Sequence, residues 1–290
     1  FYALLVSTVC NLLLDWLFAG VFGWGVSGVA WATVISTGVN AAIIVYFLAR
    51  EPQPVTLSLK LRSWRLSRPD FNKMLRIGIP AGLQGMVFSI SNIFIQSAIN
   101  SFGSDAIAGS AAALTYEVYC YYIVSAFCAA TIAFTGQNYG SGEYGRCKSV
   151  LRICMLYSVV LCGASNLLVA WQGHAFISLF SSSPEVMHYA LVRFNTVLVF
   201  QCLASSYEIS GSYMRALGYS LTPMLLTVFG TCVLRLGWVT TFRSIDDSFH
   251  GLLLIYPITW IITGAAVFTA ALIVQHRVFG RKPTCRPEPT

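Results

Sequence analysis

Apolar residues run along this chain in long blocks, and charged residues interrupt them only at wide intervals. Uncharged runs lie between Asp15 and Arg50, Arg76 and Asp105, Glu117 and Glu143, Arg152 and Glu185, and Asp247 and Arg277. A helix needs roughly 20 mostly apolar residues to cross the hydrocarbon core of a bilayer, so these runs predict membrane-spanning helices. A Gly-rich stretch, Gly20 to Gly28, divides the first run and reads as a tight turn. The pattern places helices near 2–20, 29–49, 75–101, 106–136, 149–171, 188–211, 219–242 and 250–275, which makes eight spans. A barrel would instead show alternating segments of about ten residues, and the chain does not alternate that way. The expected fold class is all-α, a polytopic membrane protein.

Composition excludes the main alternatives. The 290 residues are 56% apolar, 14% aromatic and 10% charged, with a mean hydropathy of +0.69. A soluble globular chain carries about 25% charged residues, and disorder requires low hydrophobicity. The formal net charge of +7 follows from topology, because cytoplasmic loops hold an excess of Lys and Arg. Arg50, Lys60, Arg62, Arg65, Arg68, Lys73 and Arg76 lie between the second and third helices. Arg146, Lys148 and Arg152 follow the fourth, Arg215 the sixth, and Arg277, Arg281, Lys282 and Arg286 the eighth, all on one side of the plot. The opposite connections hold Asp105, Glu185, Asp246 and Asp247, with Arg193 and Arg243 nearby. Both chain ends are expected to be cytoplasmic, in a plasma (bacterial inner) membrane. Anionic lipid, not nucleic acid, is the expected partner of the basic residues. Because residue 1 is Phe, within an apolar run and without a basic leader, the chain is expected to be a fragment. The nine cysteines form no CxxC pair and read as small packing residues. The histidines are scattered, so no metal site is expected among them.

Some motifs carry no chemistry in this setting. Gly23-Trp24-Gly25-Val26-Ser27-Gly28 matches GxGxxG, but that pattern binds dinucleotides only after a strand, and here it joins two membrane helices. Gly136 to Gly142 is Gly-rich but lacks the Lys-Ser/Thr of a phosphate loop. No grouping of Ser, His and Asp suggests a hydrolase, so an enzyme is not expected.

Polar residues inside the spans hold the functional signal, since they are costly in lipid and face a cavity or a partner. Ser7, Asn11 and Asp15 share one helical face. A carboxylate beside amide and hydroxyl oxygens holds a proton or sodium ion, or else is a structural acid pinned by hydrogen bonds. Asn92, Gln96 and Asn100, with Gln84 earlier in the same helix, form a stripe that lines either a cavity or an interhelical seam. Glu117 sits in sequence among Tyr116, Tyr119, Tyr121 and Tyr122, and Glu208 follows Tyr207. Acid beside aromatic rings suits a lipophilic cation; the alternative is pairing with an arginine such as Arg235. Pro80, Pro223 and Pro257 predict kinks.

The segments GIPAGLQGMVFSISNIFIQSAINSFG (78–103), AIAGSAAA (106–113), GQNYGSG (136–142) and GSYMRALGYSLTPM (211–224) resemble the second half of the multidrug and toxic compound extrusion (MATE) family, and NLLLD (11–15) and GVSGVAWAT (25–33) resemble its fifth and sixth helices. The resemblance implies helices five to twelve of twelve, with residues 1–49 closing an N-terminal lobe, 50–74 a basic linker, 75–276 a six-helix C-terminal lobe and 277–290 a tail. It also implies alternating access that exchanges drug-like organic cations for protons or sodium. Asn11, Asp15 and Thr33 fit the family's amino-lobe cation site. The position of a carboxy-lobe Glu in other members is Phe88 here, and that of a tenth-helix Asp is Ala204, one turn before Glu208. Thr231 and Arg235 echo Asn11 and Asp15 in the other lobe, as internal repeats of transporters do.

The expectation is therefore a monomeric, ion-coupled antiporter for lipophilic, often cationic, small molecules. Asp15, Asn11 and Thr33 bind H+ or Na+ as coupling ion, with no other cofactor or metal. Gln84, Asn92, Gln96, Glu117, Tyr121 and Glu208 line the substrate route. A flippase for lipid-linked saccharides is the alternative, which a basic cavity would favour over the mostly acidic or neutral one expected here; a non-transporting scaffold is a further one.

Overall fold

The computed structural model describes residues 2–50, 67–245 and 247–280. Lys60, Arg62, Arg65 and Asp246, the tail residues Arg281, Lys282 and Arg286, and the side chain of Arg243 lie outside the described residues, as do most of the expected linker and nearly all of the tail. Among the described residues there are helices and turns but no strands, and eight helices are long and apolar enough to span a bilayer. They are, in order, Tyr2–Val21, Gly25–Arg50, Arg68–Asn100, Ser104–Gly140, Tyr144–Trp171, Pro184–Ala216, Leu221–Thr241 and Phe249–Gly280, called here the first to eighth spans. Every one overlaps its predicted run. Most ends extend further because the helices continue past the apolar core into polar turns, where the pattern of hydropathy no longer reports them; the seventh span is instead slightly shorter than its run.

The chain divides into two units, residues 1–68 and 69–290. In the first, two spans form a hairpin around the Gly-rich stretch. Gly23 and Gly25 have φ of 66° and 54°, the left-handed region that glycine enters without steric cost. Trp24 N–H donates to the Phe18 carbonyl at 2.9 Å, and the two rings stack at 5.1 Å. A Cβ on Gly28 would lie 2.9 Å from the Phe18 backbone, so the third glycine of the motif permits close approach of the two helices. Ser7 Oγ donates to the Ser36 carbonyl at 2.8 Å and ties the hairpin further in. Leu4, Leu12, Leu13, Trp31 and Val34 are exposed, an apolar exterior suited to lipid and not to water.

The second unit is built around the sixth span. Its last helical segment, Ala204–Ala216, packs against the fourth, fifth and eighth spans, and most of its residues are buried although many are polar. Small residues bring the backbones together, as is usual where apolar helices associate in lipid. Ser158 and Ser205 share a buried hydrogen bond of 2.9 Å, Gly264 lies against Ser206 and Gly230 against Thr263. The run AIAGSAAA is the face of the fourth span that meets the start of the sixth: a Cβ on Gly109 would lie 2.5 Å from the Val186 carbonyl oxygen.

The prolines behave differently from one another. Pro80 lies inside the third span, and one turn's length before it the Ile77 carbonyl accepts the Ser220 hydroxyl at 2.8 Å. Pro223 lies in the first turn of Leu221–Thr227, where a missing N–H costs nothing, so it starts a helix and does not kink one. Pro257 has no N–H for the Leu253 carbonyl, and the helix Phe249–Leu253 stops there before Ile255–Gly280 begins.

Gly109→Val drives a methyl group into backbone that has no room to yield. It is expected to destabilise the protein by about 1–3 kcal/mol, read as a lower thermal unfolding midpoint in detergent. Gly145→Ala, with nothing within 4 Å of the added carbon, is expected to stay within about 0.5 kcal/mol.

Candidate functional site

The third span makes few close backbone approaches to its neighbours, and a cavity of about 490 Å³ opens along it within the second unit. Gly85, Phe88, Ser89, Asn92 and Gln96 form one wall; the fourth span contributes Leu114, Glu117 and Tyr121, the sixth Arg193, Gln201 and Tyr207, the seventh Arg235 and the eighth Tyr256 and Trp260. Mostly apolar walls with a few converging polar groups are the usual make-up of a small-molecule site.

Charge in this cavity is arranged otherwise than the sequence suggests. Glu117 is buried and pairs with Arg193, not with Arg235: Arg193 Nε donates to Glu117 Oε1 at 2.6 Å and Arg193 Nη2 to Oε2 at 2.8 Å. Arg193 Nη1 donates to Ser110 Oγ at 2.8 Å, and Gln201 Nε2 donates to the Glu117 backbone carbonyl at 3.0 Å. Arg193, expected at a polar connection, is thus an interior residue. Position 193 lies within the helix expected near 188–211; its burial and its partner are what the sequence did not show.

Arg235 is 1% exposed. Its Nε donates to Thr259 Oγ1 at 3.3 Å, while Nη1 and Nη2 have no hydrogen-bond partner among the described residues. The guanidinium lies 4.5 Å from the Tyr256 ring centroid and 5.4 Å from that of Phe88. The cavity therefore holds one carboxylate and two guanidiniums, and the acid is engaged by one of them. A mostly acidic or neutral interior was expected; the wall instead carries an excess positive charge.

The other predicted residues fall in different places. Asn92, Gln96 and Tyr121 line the cavity with Glu117, and Gln96 Nε2 donates to Asn100 Oδ1 at 3.1 Å. Glu208 and Gln84 are outside its lining. Glu208 accepts from the Tyr121 hydroxyl at 3.0 Å, and Gln84 accepts from Arg215 Nη1 at 3.3 Å. Of the tyrosines around Glu117, Tyr119 and Tyr122 point outward and are exposed, and Tyr116 donates to the Phe176 carbonyl at 2.9 Å. Sequence neighbours on a helix diverge by about 100° per residue, which separates them.

In the first unit, Asp15 and Asn11 are half-buried, and Asp15 Oδ1 and Asn11 Nδ2 are buried atoms with no hydrogen-bond partner among the described residues. Asn40 Oδ1 on the second span is in the same condition. Thr33 is exposed and donates to the Val29 carbonyl of its own helix at 3.0 Å. Immediately after Asp15 the helix widens into a π-helical segment, Trp16–Val21. The same occurs at Phe194–Leu198, directly after Arg193, and at Val228–Val233, just before Arg235. Such π segments are rare and concentrate at functional sites.

Eight helices of membrane-spanning length define a multi-pass helical membrane protein, and the third, fourth, sixth, seventh and eighth spans line a cavity within its second unit. The MatE family model matches residues 80–238, and the chain belongs to that family. It is 29% identical over 234 residues to the probable multidrug resistance protein YoeA of Bacillus subtilis, covering 79% of this chain and 50% of that protein. It is 26% identical over 276 residues to a FAD transporter of Shewanella oneidensis, covering 92% and 59%. A crystal structure of MATE in the straight conformation superposes with a TM-score of 0.87 at 20% identity, over 97% of this chain and 63% of that one. The chain thus spans between half and two thirds of the length of these proteins.

Removing one partner of a buried ion pair strands the other charge at a cost of about 3–5 kcal/mol, whereas replacing both with apolar residues is far milder. Glu117→Met and Arg193→Met are each expected to lower the thermal midpoint sharply, and the double variant to recover most of the loss. Additive losses in that cycle would show that the two side chains do not depend on each other.

Proposed function

We propose that the protein is a secondary active exporter of small, drug-like organic molecules, driven by exchange for protons or sodium ions through alternating access. The observation that carries this reading is the 490 Å³ intramembrane cavity in a chain of the MatE family. Relatives named for multidrug resistance and for FAD transport share the movement of organic solutes. An enzyme is not needed to account for any group in the cavity.

Coupling is assigned to Asp15 with Asn11. Asp15 Oδ1 is a buried acceptor without a partner among the described residues, which leaves an oxygen free for a cation, and Asn11 would add its amide oxygen. Thr33 is assigned to the site by its position in the family pattern alone. A site that holds the ion in one state and gives it up in the other exchanges ion for solute. Residues 1–49 are assigned to the end of one lobe, 50–74 to the linker and 75–276 to the other lobe. The protein acts as a monomer in the plasma (bacterial inner) membrane, its ends on the cytoplasmic side where Lys and Arg gather.

Asp15→Asn keeps the shape and removes the titrating charge. It is expected to abolish ion-driven dye efflux from proteoliposomes while leaving the unfolding midpoint within about 1 kcal/mol of wild type. Unchanged efflux under an imposed ion gradient would remove Asp15 from the coupling site.

A further inference from the structure

Arg235 combines three properties that together ask for a ligand. It is 1% exposed within a membrane span, it lines the cavity, and both its terminal nitrogens lack a hydrogen-bond partner among the described residues. A buried guanidinium without a counter-charge is strongly disfavoured. The carboxylate in the same wall does not relieve it, because both oxygens of Glu117 already accept from Arg193. Thr259 holds only Nε. Tyr256 and Phe88 offer their ring faces, which steady a cation but neutralise no charge. The two unpartnered NH2 groups of one guanidinium match the paired oxygens of a carboxylate or phosphate in a fork that lysine does not form. The rings of Tyr207, Tyr256 and Trp260 in the same cavity provide flat surfaces on which an aromatic body stacks.

We infer that the cavity contains an anion-binding subsite at Arg235, and that the solutes it takes are aromatic compounds bearing a carboxylate or phosphate group. The inference deepens the exporter reading of the same cavity and rests on it. An entering anion displaces the Phe88 ring from the guanidinium and supplies the counter-charge that the fold leaves out. Asn92 and Gln96, on the third span, donate and accept hydrogen bonds at the polar edge of the solute.

Fluorescein and rhodamine 6G test this, since they share a three-ring xanthene body but carry opposite charge. Binding of each to the purified protein in detergent is measured by fluorescence polarisation at pH 8 for wild type, Arg235→Lys and Arg235→Gln. Wild type is expected to bind fluorescein more tightly than rhodamine 6G. Arg235→Gln is expected to weaken fluorescein about tenfold or more, the loss of a charge-assisted hydrogen bond, and to leave rhodamine 6G within about twofold. Arg235→Lys is expected to fall between wild type and Arg235→Gln for fluorescein. Wild type that binds rhodamine 6G and not fluorescein overturns the subsite, whatever the variants do. Fluorescein binding indifferent to Arg235→Gln, or parallel loss of both dyes in a variant that remains folded, overturns it as well. Ion-driven efflux of rhodamine 6G without fluorescein binding leaves the exporter reading and removes the subsite. Fluorescein binding that depends on Arg235, with no ion-driven efflux of either dye, supports the subsite and removes the exporter reading.

Discussion

The bidentate contact between Glu117 and Arg193 is the constraint around which the second unit is arranged. It joins the middle of the fourth span to the early part of the sixth in a medium where neither charge survives alone, so the two helices have one permitted register. Ser110 accepts from Arg193 Nη1 and Gln201 donates to the backbone carbonyl of Glu117, and the small residues around Gly109 let the backbones approach closely enough for the 2.6 Å contact to form. With the acid committed in this way, the electrostatic character of the cavity passes to Arg235. One structural pairing thereby determines what sort of solute the unpaired cation is left to meet.

The sixth span shows how a membrane protein holds a polar helix at its centre. Its second half is rich in serine, yet it is surrounded on three sides by other spans, so Ser205, Ser210 and Ser212 are buried within protein and not exposed to lipid. The apolar residues are displaced outward, as the exposed leucines, isoleucines and valines of the flanking spans show. This inverts the soluble pattern, in which the apolar surface is gathered inside. It also accounts for the loose third span: with the polar helix already enclosed by three others, a fourth neighbour can stand off and leave room for a solute.

Much of this was legible in the sequence, and the exceptions have physical causes. The spans were readable because charge is expensive in lipid and its absence over long runs is a strong signal. The Gly23–Gly28 turn was readable because positive φ calls for glycine. Arg193 was misplaced because charge alone does not distinguish a residue at a membrane surface from one paired within the core; the partner, 76 positions earlier, is visible only in three dimensions. Glu208 and Gln84 were grouped with the cavity because spacing along a helix gives a face but not what that face meets. Asn92 and Gln96 were found by the same spacing argument, which succeeds where a polar stripe is too long to be paired entirely with other helices. The π-helical segments left no trace in the pattern of hydropathy, since they arise from packing and not from local preference.

Those segments have a geometrical consequence. A π turn holds one residue more than an α turn, so whatever follows it is rotated by about 100° relative to an uninterrupted helix. Asp15 and Arg193 stand at the near edge of such an insertion, and Arg235 beyond one. The direction in which Arg235 points is accordingly a property of residues 228–233 as much as of the arginine. If the extra residue migrates along the helix, the cation is re-aimed without breaking the span. The seventh span is in this sense built like a dial, whose pointer is a charge and whose detents are backbone hydrogen bonds.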